Sequence, residues 1–261
     1  MLRKVMFVTA VLFAVTVGVA SSQTVIDMSD FSSLEGWTRA AGDWRVDGNR
    51  LHQGSTTALM ARIDRAVPHD GVFELRFNAR YEDGGYRTLE ELRNQILHAG
   101  FGVHIGLRNP LLGVESWGAG ESYLLWLNLD TRNRTAQEYP EHFGLRAQVY
   151  ESRSPVNMDL LSAPWVRREL RQPRLSIDLP AVLEAAGIRL TIADVEPYLG
   201  QIVPIRIRVN TNTGVVSVAD PTAPLWYRIP LDAGVLSRGE YISLRTNSLA
   251  ASFGNFRVVE Q

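Results

Sequence analysis

Period-two alternation is the feature that most constrains this chain. In "GVFELRFNARY", Phe73, Leu75, Phe77, Ala79 and Tyr81 alternate with Glu74, Arg76, Asn78 and Arg80. Successive side chains of an extended backbone point to opposite faces, so the segment is a strand with one apolar face and one polar, cationic face. The same period returns in "FGVHIGLR", "SYLLWLNLD" and "GLRAQVYES". In "VPIRIRVNTNTGVVSVAD", Ile205, Ile207 and Val209 oppose Arg206 and Arg208, and a Thr-Asn-Thr-Gly turn leads into a return strand. Near the start, "GDWRVDGNRLHQ" sets Trp44 and Val46 two apart, turns at Asp47-Gly48-Asn49 and resumes at Leu51, which is a hairpin signature. Strand patterns from end to end predict an all-β fold, an antiparallel two-sheet jelly-roll sandwich.

Three segments break the β pattern. "TLEELRNQILHAG" has Thr88 and Glu91 as a capping box, a helical stripe of Leu89, Leu92, Ile96 and Leu97, and Gly100 as a stop. "DLPAVLEAAG" and "IADVEPYLG" read as further turns of helix. The sandwich therefore carries one to three short helices on connecting loops.

The first residues place Arg3 and Lys4 before an apolar run from Val5 to Ala20, followed by small residues. This is the pattern of a secretory signal peptide over residues 1–22, cleaved after Ala20 or Ser22. The run is shorter than the ~20 apolar residues of a membrane span, and no other segment competes, so no span is expected after cleavage. Residues 23–261 then form a single domain, without a low-complexity linker or repeat. The chain has no cysteine, which suits export to a bacterial periplasm or cell surface without disulfides. Removing Arg3 and Lys4 leaves 25 cationic against 28 anionic residues, a formal charge of −3. With no concentrated basic stretch along the chain, nucleic acid is not an expected partner.

If "FGVHIGLR", "SYLLWLNLD" and "GLRAQVYES" are sequential antiparallel neighbours, their second faces form one surface. It carries His104, Trp126, Asn128, Gln148 and Tyr150, and Arg76, Asn78 and Arg80 extend the set. Sugar CH faces stack on aromatic rings while hydroxyls need planar donors and acceptors, so these residues are the candidate ligand-binding set. The opposing reading makes the same face a second core layer, covered by the Ser152-to-Leu199 segment.

Catalytic signals are weaker. Glycoside cleavage needs two facing carboxylates, and the acids Asp130, Glu138 and Glu141 are candidates only by position, Asp130 because it ends a strand beside Trp126 and Asn128. The histidines His52, His69, His98, His104 and His142 show no metal-ligand spacing. No metal or other cofactor is expected, and calcium at Asp27 or in "NLDTRN" has no dedicated loop behind it. "GAGES" is not a nucleophile elbow.

In this order, four stretches resemble the concanavalin A-like lectin/glucanase superfamily, and within it the exported bacterial modules related to laminin-G-like and 3-keto-disaccharide-hydrolase-type domains. They are "DFSSLEGW…GDWRVDGNRLHQ" with Trp37, Gly42, Trp44 and Gly48, "GVFELRFNARY", "VPIRIRVNTNTGVVSVAD", and "YISLRTNSLAASFGNFRVV". The resemblance implies two curved sheets whose concave side binds glycans. It does not carry over the glucanase Glu-x-Asp-x-x-Glu motif, which is absent here, nor the acidic residue relatives often have in the terminal motif, which reads Ser252-Phe253-Gly254-Asn255-Phe256. The expectation is a secreted or periplasmic module that binds a glycan or envelope polymer on its concave face, without evident catalytic machinery. The alternatives are a glycoside or keto-glycoside hydrolase of the same fold, and a structural component of the envelope or a surface appendage that meets protein neighbours through the arginines of "PIRIRVN" and "YISLRTN".

Overall fold

A computed structural model describes residues 23–84, 100–110, 116–130, 144–161, 177–178, 202–219, 224 and 226–261. The proposed leader, the three predicted helices, and Glu138 and Glu141 lie outside these residues.

Among the described residues the strands are β1 (Gln23–Met28), β2 (Trp37–Ala41), β3 (Trp44–Asp47), β4 (Arg50–Gln53), β5 (Ala61–Ala66), β6 (Val72–Gly84), β7 (Gly100–Leu107), β8 (Gly120–Asp130), β9 (Gly144–Ser154), β10 (Met158–Leu160), β11 (Ile177–Asp178), β12 (Val203–Asn210), β13 (Val215–Ala219), β14 (Trp226–Pro230), β15 (Tyr241–Asn247) and β16 (Leu249–Glu260). A one-turn helix, α1 (Ala233–Leu236), is capped by Asp232, whose Oδ1 accepts from the Gly234 and Val235 amides at 2.7 and 3.3 Å. Sequence periodicity did not reveal it.

Sheet A runs β14-β13-β12-β6-β16-β4-β3, with β1 also on β16; sheet B runs β10-β9-β8-β7-β15-β5-β2, with β11 also on β9. All pairings are antiparallel. The chain is thus the two-sheet sandwich that alternation predicts. The predicted hairpin is β3–β4, with Gly48 and Asn49 at φ 54° and 62°, the two positive values that a tight primed turn requires.

The core lies between the sheets. Phe73, Leu75, Phe77 and Ala79 of β6, Ile207 and Val209 of β12, Phe101, Val103 and Ile105 of β7, and Tyr123 and Leu125 of β8 are all buried in it. Aromatic contacts tie one sheet to the other: Phe101 meets Phe253 edge-on at 6.2 Å, and Trp37 meets Phe256 at 5.3 Å. Phe253 and Phe256 are three apart, so strict alternation would send one of them to solvent. A register shift between Gly254 and Arg257, with Asn255 at φ 51°, turns both inward.

Candidate functional site

Each sheet has an outer face, and the sequence candidates divide between them.

On sheet B the register sets Asp64, Ser243, His104, Leu124 and Tyr150 in one row, and Arg62, Arg245, Gly102, Trp126 and Gln148 in the next. His104, Trp126, Gln148 and Tyr150 therefore share a face, as alternation predicts. Asn128 stands in the following row, paired with Gly100 and Arg146, and Asp130 ends β8 opposite Gly144. The face is buried. Trp126 is 2% exposed, Gln148 4%, Tyr150 7% and His104 0%.

Met60, Leu124, Trp126 and Tyr150 form a second apolar cluster there, against which Trp117, Met158 and Leu160 pack. Met158 and Leu160 lie in the segment expected to supply a cover but stand on β10, beside β9 in the same sheet, and the Trp117 ring lies 6.5 Å from that of Tyr150. The indole of Trp126 lies across β7 because that strand offers glycine. A Cβ on Gly100 would come within 2.8 Å of the ring, and one on Gly102 within 2.8 Å of Cε3.

Several polar groups of this face pair with one another, while the buried Trp126 Nε1 and Arg245 Nε have no hydrogen-bond partner among the described residues. Arg245 donates through Nη1 to His104 Nδ1 at 3.1 Å and to the Trp117 carbonyl at 2.9 Å, and through Nη2 to the carbonyls of Ser116 and, at 3.4 Å, Met60. A guanidinium can only donate, so His104 Nδ1 accepts and its proton sits on Nε2, 3.0 Å from Ser122 Oγ. Ser243 Oγ donates to Asp64 Oδ1 at 2.6 Å, and Arg62 Nε lies 3.4 Å from the same oxygen. Burial, then the charges of Arg245 and Arg62, push His104 well below the usual imidazole range. Burial and the charge of Arg62 lower Arg245 to about 9, with Asp64 opposing.

Ser122 and His104 mimic two parts of a nucleophile–base–carboxylate triad, but the third is inverted. Where a carboxylate would support an imidazolium, Arg245 disfavours one. With Ser122 1% exposed, the pair is a packing network. Arg245, the arginine of "YISLRTN", is fully buried and does not reach a protein neighbour.

Arg76, Asn78 and Arg80 lie on the other sheet. On the outer side of sheet A, Arg257, Arg76 and Arg206 stand directly opposite one another across β16, β6 and β12, with Glu74 opposite Arg208 in the adjacent row. The Glu74 side chain is 0% exposed. Its Oε1 accepts from Arg76 Nε and Arg206 Nε at 2.8 Å each, and its Oε2 from Arg208 Nη2 at 3.0 Å and Gln261 Nε2 at 2.9 Å. Burial raises the Glu74 carboxyl, but hydrogen bonds from Arg76, Arg206 and Arg208 outweigh it and hold it below the usual carboxylate range. The guanidinium carbons of Arg206 and Arg208 lie 5.0 and 4.8 Å from the ring centroid of half-buried Trp226 on β14.

The side chains of Arg76, Arg206 and Arg208 remain 40%, 45% and 40% exposed. Further along the face, Arg80 pairs with Glu82 at 2.7 Å, Asn78 is half-buried and Arg257 meets Asp27 at 3.2 Å. The sequence reading finds no concentrated basic stretch; sheet pairing creates a basic patch from strands far apart in the chain. Glu74, Arg206, Arg208, Trp226 and Arg257 were not in the candidate set, and only the polar alternation of "GVFELRFNARY" and "PIRIRVN" signalled any of them.

Among the described residues no group of three or more His, Asp or Glu side chains could hold a metal ion, and no helix is long and apolar enough to cross a membrane.

The chain is similar to the carbohydrate recognition domain of Emp46p in its metal-free form, at 10% identity over 91% of this chain and 95% of that one, with a TM-score of 0.51. It is likewise similar to the CBM2 module of the evolved Dit of Lactobacillus casei BL23 phage J-1, at 8% identity over 91% and 95% of the two chains, with a TM-score of 0.50. These likenesses establish the concanavalin A-like sandwich fold. No protein-family model matches the chain, and no curated protein does.

Proposed function

We propose that the chain is an exported β-sandwich module that binds a glycan or envelope polymer, in the periplasm or at the surface of a bacterium, with the outer face of sheet A as its ligand surface. One observation carries this reading. Arg76, Arg206 and Arg208 are fixed by buried Glu74 and by Trp226, yet keep two-fifths or more of their side-chain surface exposed. Planar, multiply donating groups held rigid on a sheet suit polyhydroxylated or acidic polymers, because little side-chain entropy is lost on binding. The export signal read at residues 1–22 and a fold shared with carbohydrate recognition domains support the same conclusion. The fold alone does not assign it. Calorimetry against a polysaccharide panel tests the reading, with Arg206→Gln expected to weaken binding at least tenfold; silence across the panel refutes it.

A second reading, a structural or assembly component of the envelope, draws on the burial of the His104–Trp126 face, which removes the aromatic surface most suited to sugars. Capture of a defined envelope protein through sheet A, with no polysaccharide bound, selects it.

A further inference from the structure

Resting on the glycan-binding reading, we propose that the outer face of sheet A takes a carboxylated glycan, a polyuronate, laid across the strands along the Arg257, Arg76 and Arg206 row.

The argument begins with a cost. Like charges directly opposite one another on adjacent strands destabilise a sheet. Here Arg257 faces Arg76, and Arg76 faces Arg206, on three neighbouring strands. Asp27 pairs with Arg257 at 3.2 Å and Glu74 relieves the strain in the next row, but one carboxylate serves three guanidinium groups there, a formal excess of two positive charges at that node among the described residues. Folding does not require this excess: Glu74 is fully buried, and one or two guanidinium partners could satisfy its two oxygens. An external anion accounts for the surplus.

The geometry selects among anions. Arg76 hydrogen-bonds to Glu74 through Nε alone, so among the described residues both its terminal nitrogens remain for a ligand. Paired terminal nitrogens fit the two oxygens of a carboxylate side by side. The backbones that carry the cations recur at the strand spacing of about 4.8 Å, comparable to the length of one pyranose unit, so a polymer crossing the strands meets a cation-bearing strand about once per sugar. Nucleic-acid strands, by contrast, are held by aromatic rings open for base stacking, and the Trp226 ring already carries the guanidinium groups of Arg206 and Arg208. Charge complementarity therefore favours a polymer whose anionic group lies on the sugar itself.

The test is titration calorimetry of the purified chain with polygalacturonate and with its fully methyl-esterified form, at two salt concentrations. The expected result is binding to the acid form that weakens as salt rises, with at least a tenfold loss on esterification. Arg76→Gln is expected to reduce affinity about tenfold, and Arg76→Lys to recover only part of it, because a point charge cannot reproduce the paired donors. Thermal unfolding of each variant separates loss of binding from loss of fold, and Arg257→Gln, which leaves Glu74 untouched, provides a second perturbation. Equal affinity for acid and ester forms, or binding only to neutral glycans, overturns the proposal while the glycan-binding reading stands. Equal affinity for polyphosphate or single-stranded DNA also overturns it, since the patch would then be a general polyanion surface. Silence against every glycan removes both.

Discussion

Replacing Glu74 with Gln tests the electrostatic keystone of sheet A. The substitution keeps the shape of a fully buried side chain but removes the charge that three arginines and Gln261 address. Breaking a buried ion pair by deleting one partner costs about 3–5 kcal/mol, because the other charge is left uncompensated. That figure must be lowered here. The three guanidinium groups are 40–45% exposed and regain water when released, so the expected loss is about 2–3 kcal/mol. For a domain of this size that corresponds to a melting point lower by roughly 5–10 °C. The pH dependence carries the sign. Glu74 titrates below its ordinary 4.5 in the folded state, so its contribution is fully present above that value and is lost as pH falls through the depressed folded-state value. Urea midpoints of wild type and Glu74→Gln should differ at pH 7 and converge in acid. A variant within 0.5 kcal/mol of wild type at pH 7, or a gap independent of pH, would refute the keystone role.

Acid should also weaken the fold through His69, whose Nε2 accepts from the Gly106 amide at 3.0 Å and which burial lowers to about 4. That stability is present above pH 6.5 and drains away as pH falls toward 4, by about 3 kcal/mol in total; unfolding of His69→Gln at pH 7 and pH 4.5 should lack this component. Gly102→Ala places a Cβ 2.2 Å from the Leu125 carbonyl, and calorimetric melting should register a loss of at least about 1–3 kcal/mol. Trp126→Ala empties the centre of the second cluster and should cost about 3–5 kcal/mol, while affinity for any polymer held on sheet A is unchanged when measured below the lowered melting point.

Which side of its strand a residue takes was legible in the sequence wherever the two-residue period is unbroken, because it follows from that period alone. His104, Trp126, Gln148 and Tyr150 fall on one face as that period requires. Burial of the face was not legible, because it depends on segments that fold back over it. The signal lay beside the candidates rather than in them: Gly100 and Gly102 share the Trp126 face, and a strand surface that bears two glycines has room for an indole lying flat. The bulge that turns both Phe253 and Phe256 inward was hidden for a related reason, since it breaks the period on which the reading depends.

The arginine patch illustrates a different limit. Arg76, Arg206 and Arg257 are separated by 130 and 51 positions, and no window along the chain contains more than one of them. Antiparallel pairing of β6 with both β12 and β16 brings them opposite one another. A chain that is slightly acidic overall thus concentrates positive charge on one face, and net charge could not exclude such a face. The two outer faces therefore diverge for a physical reason. On sheet B, Arg245 is spent inside the fold, on carbonyls and His104. On sheet A, one buried carboxylate fixes three arginines while taking only part of their donors, and rigid, unspent donors at the surface are what a ligand can use.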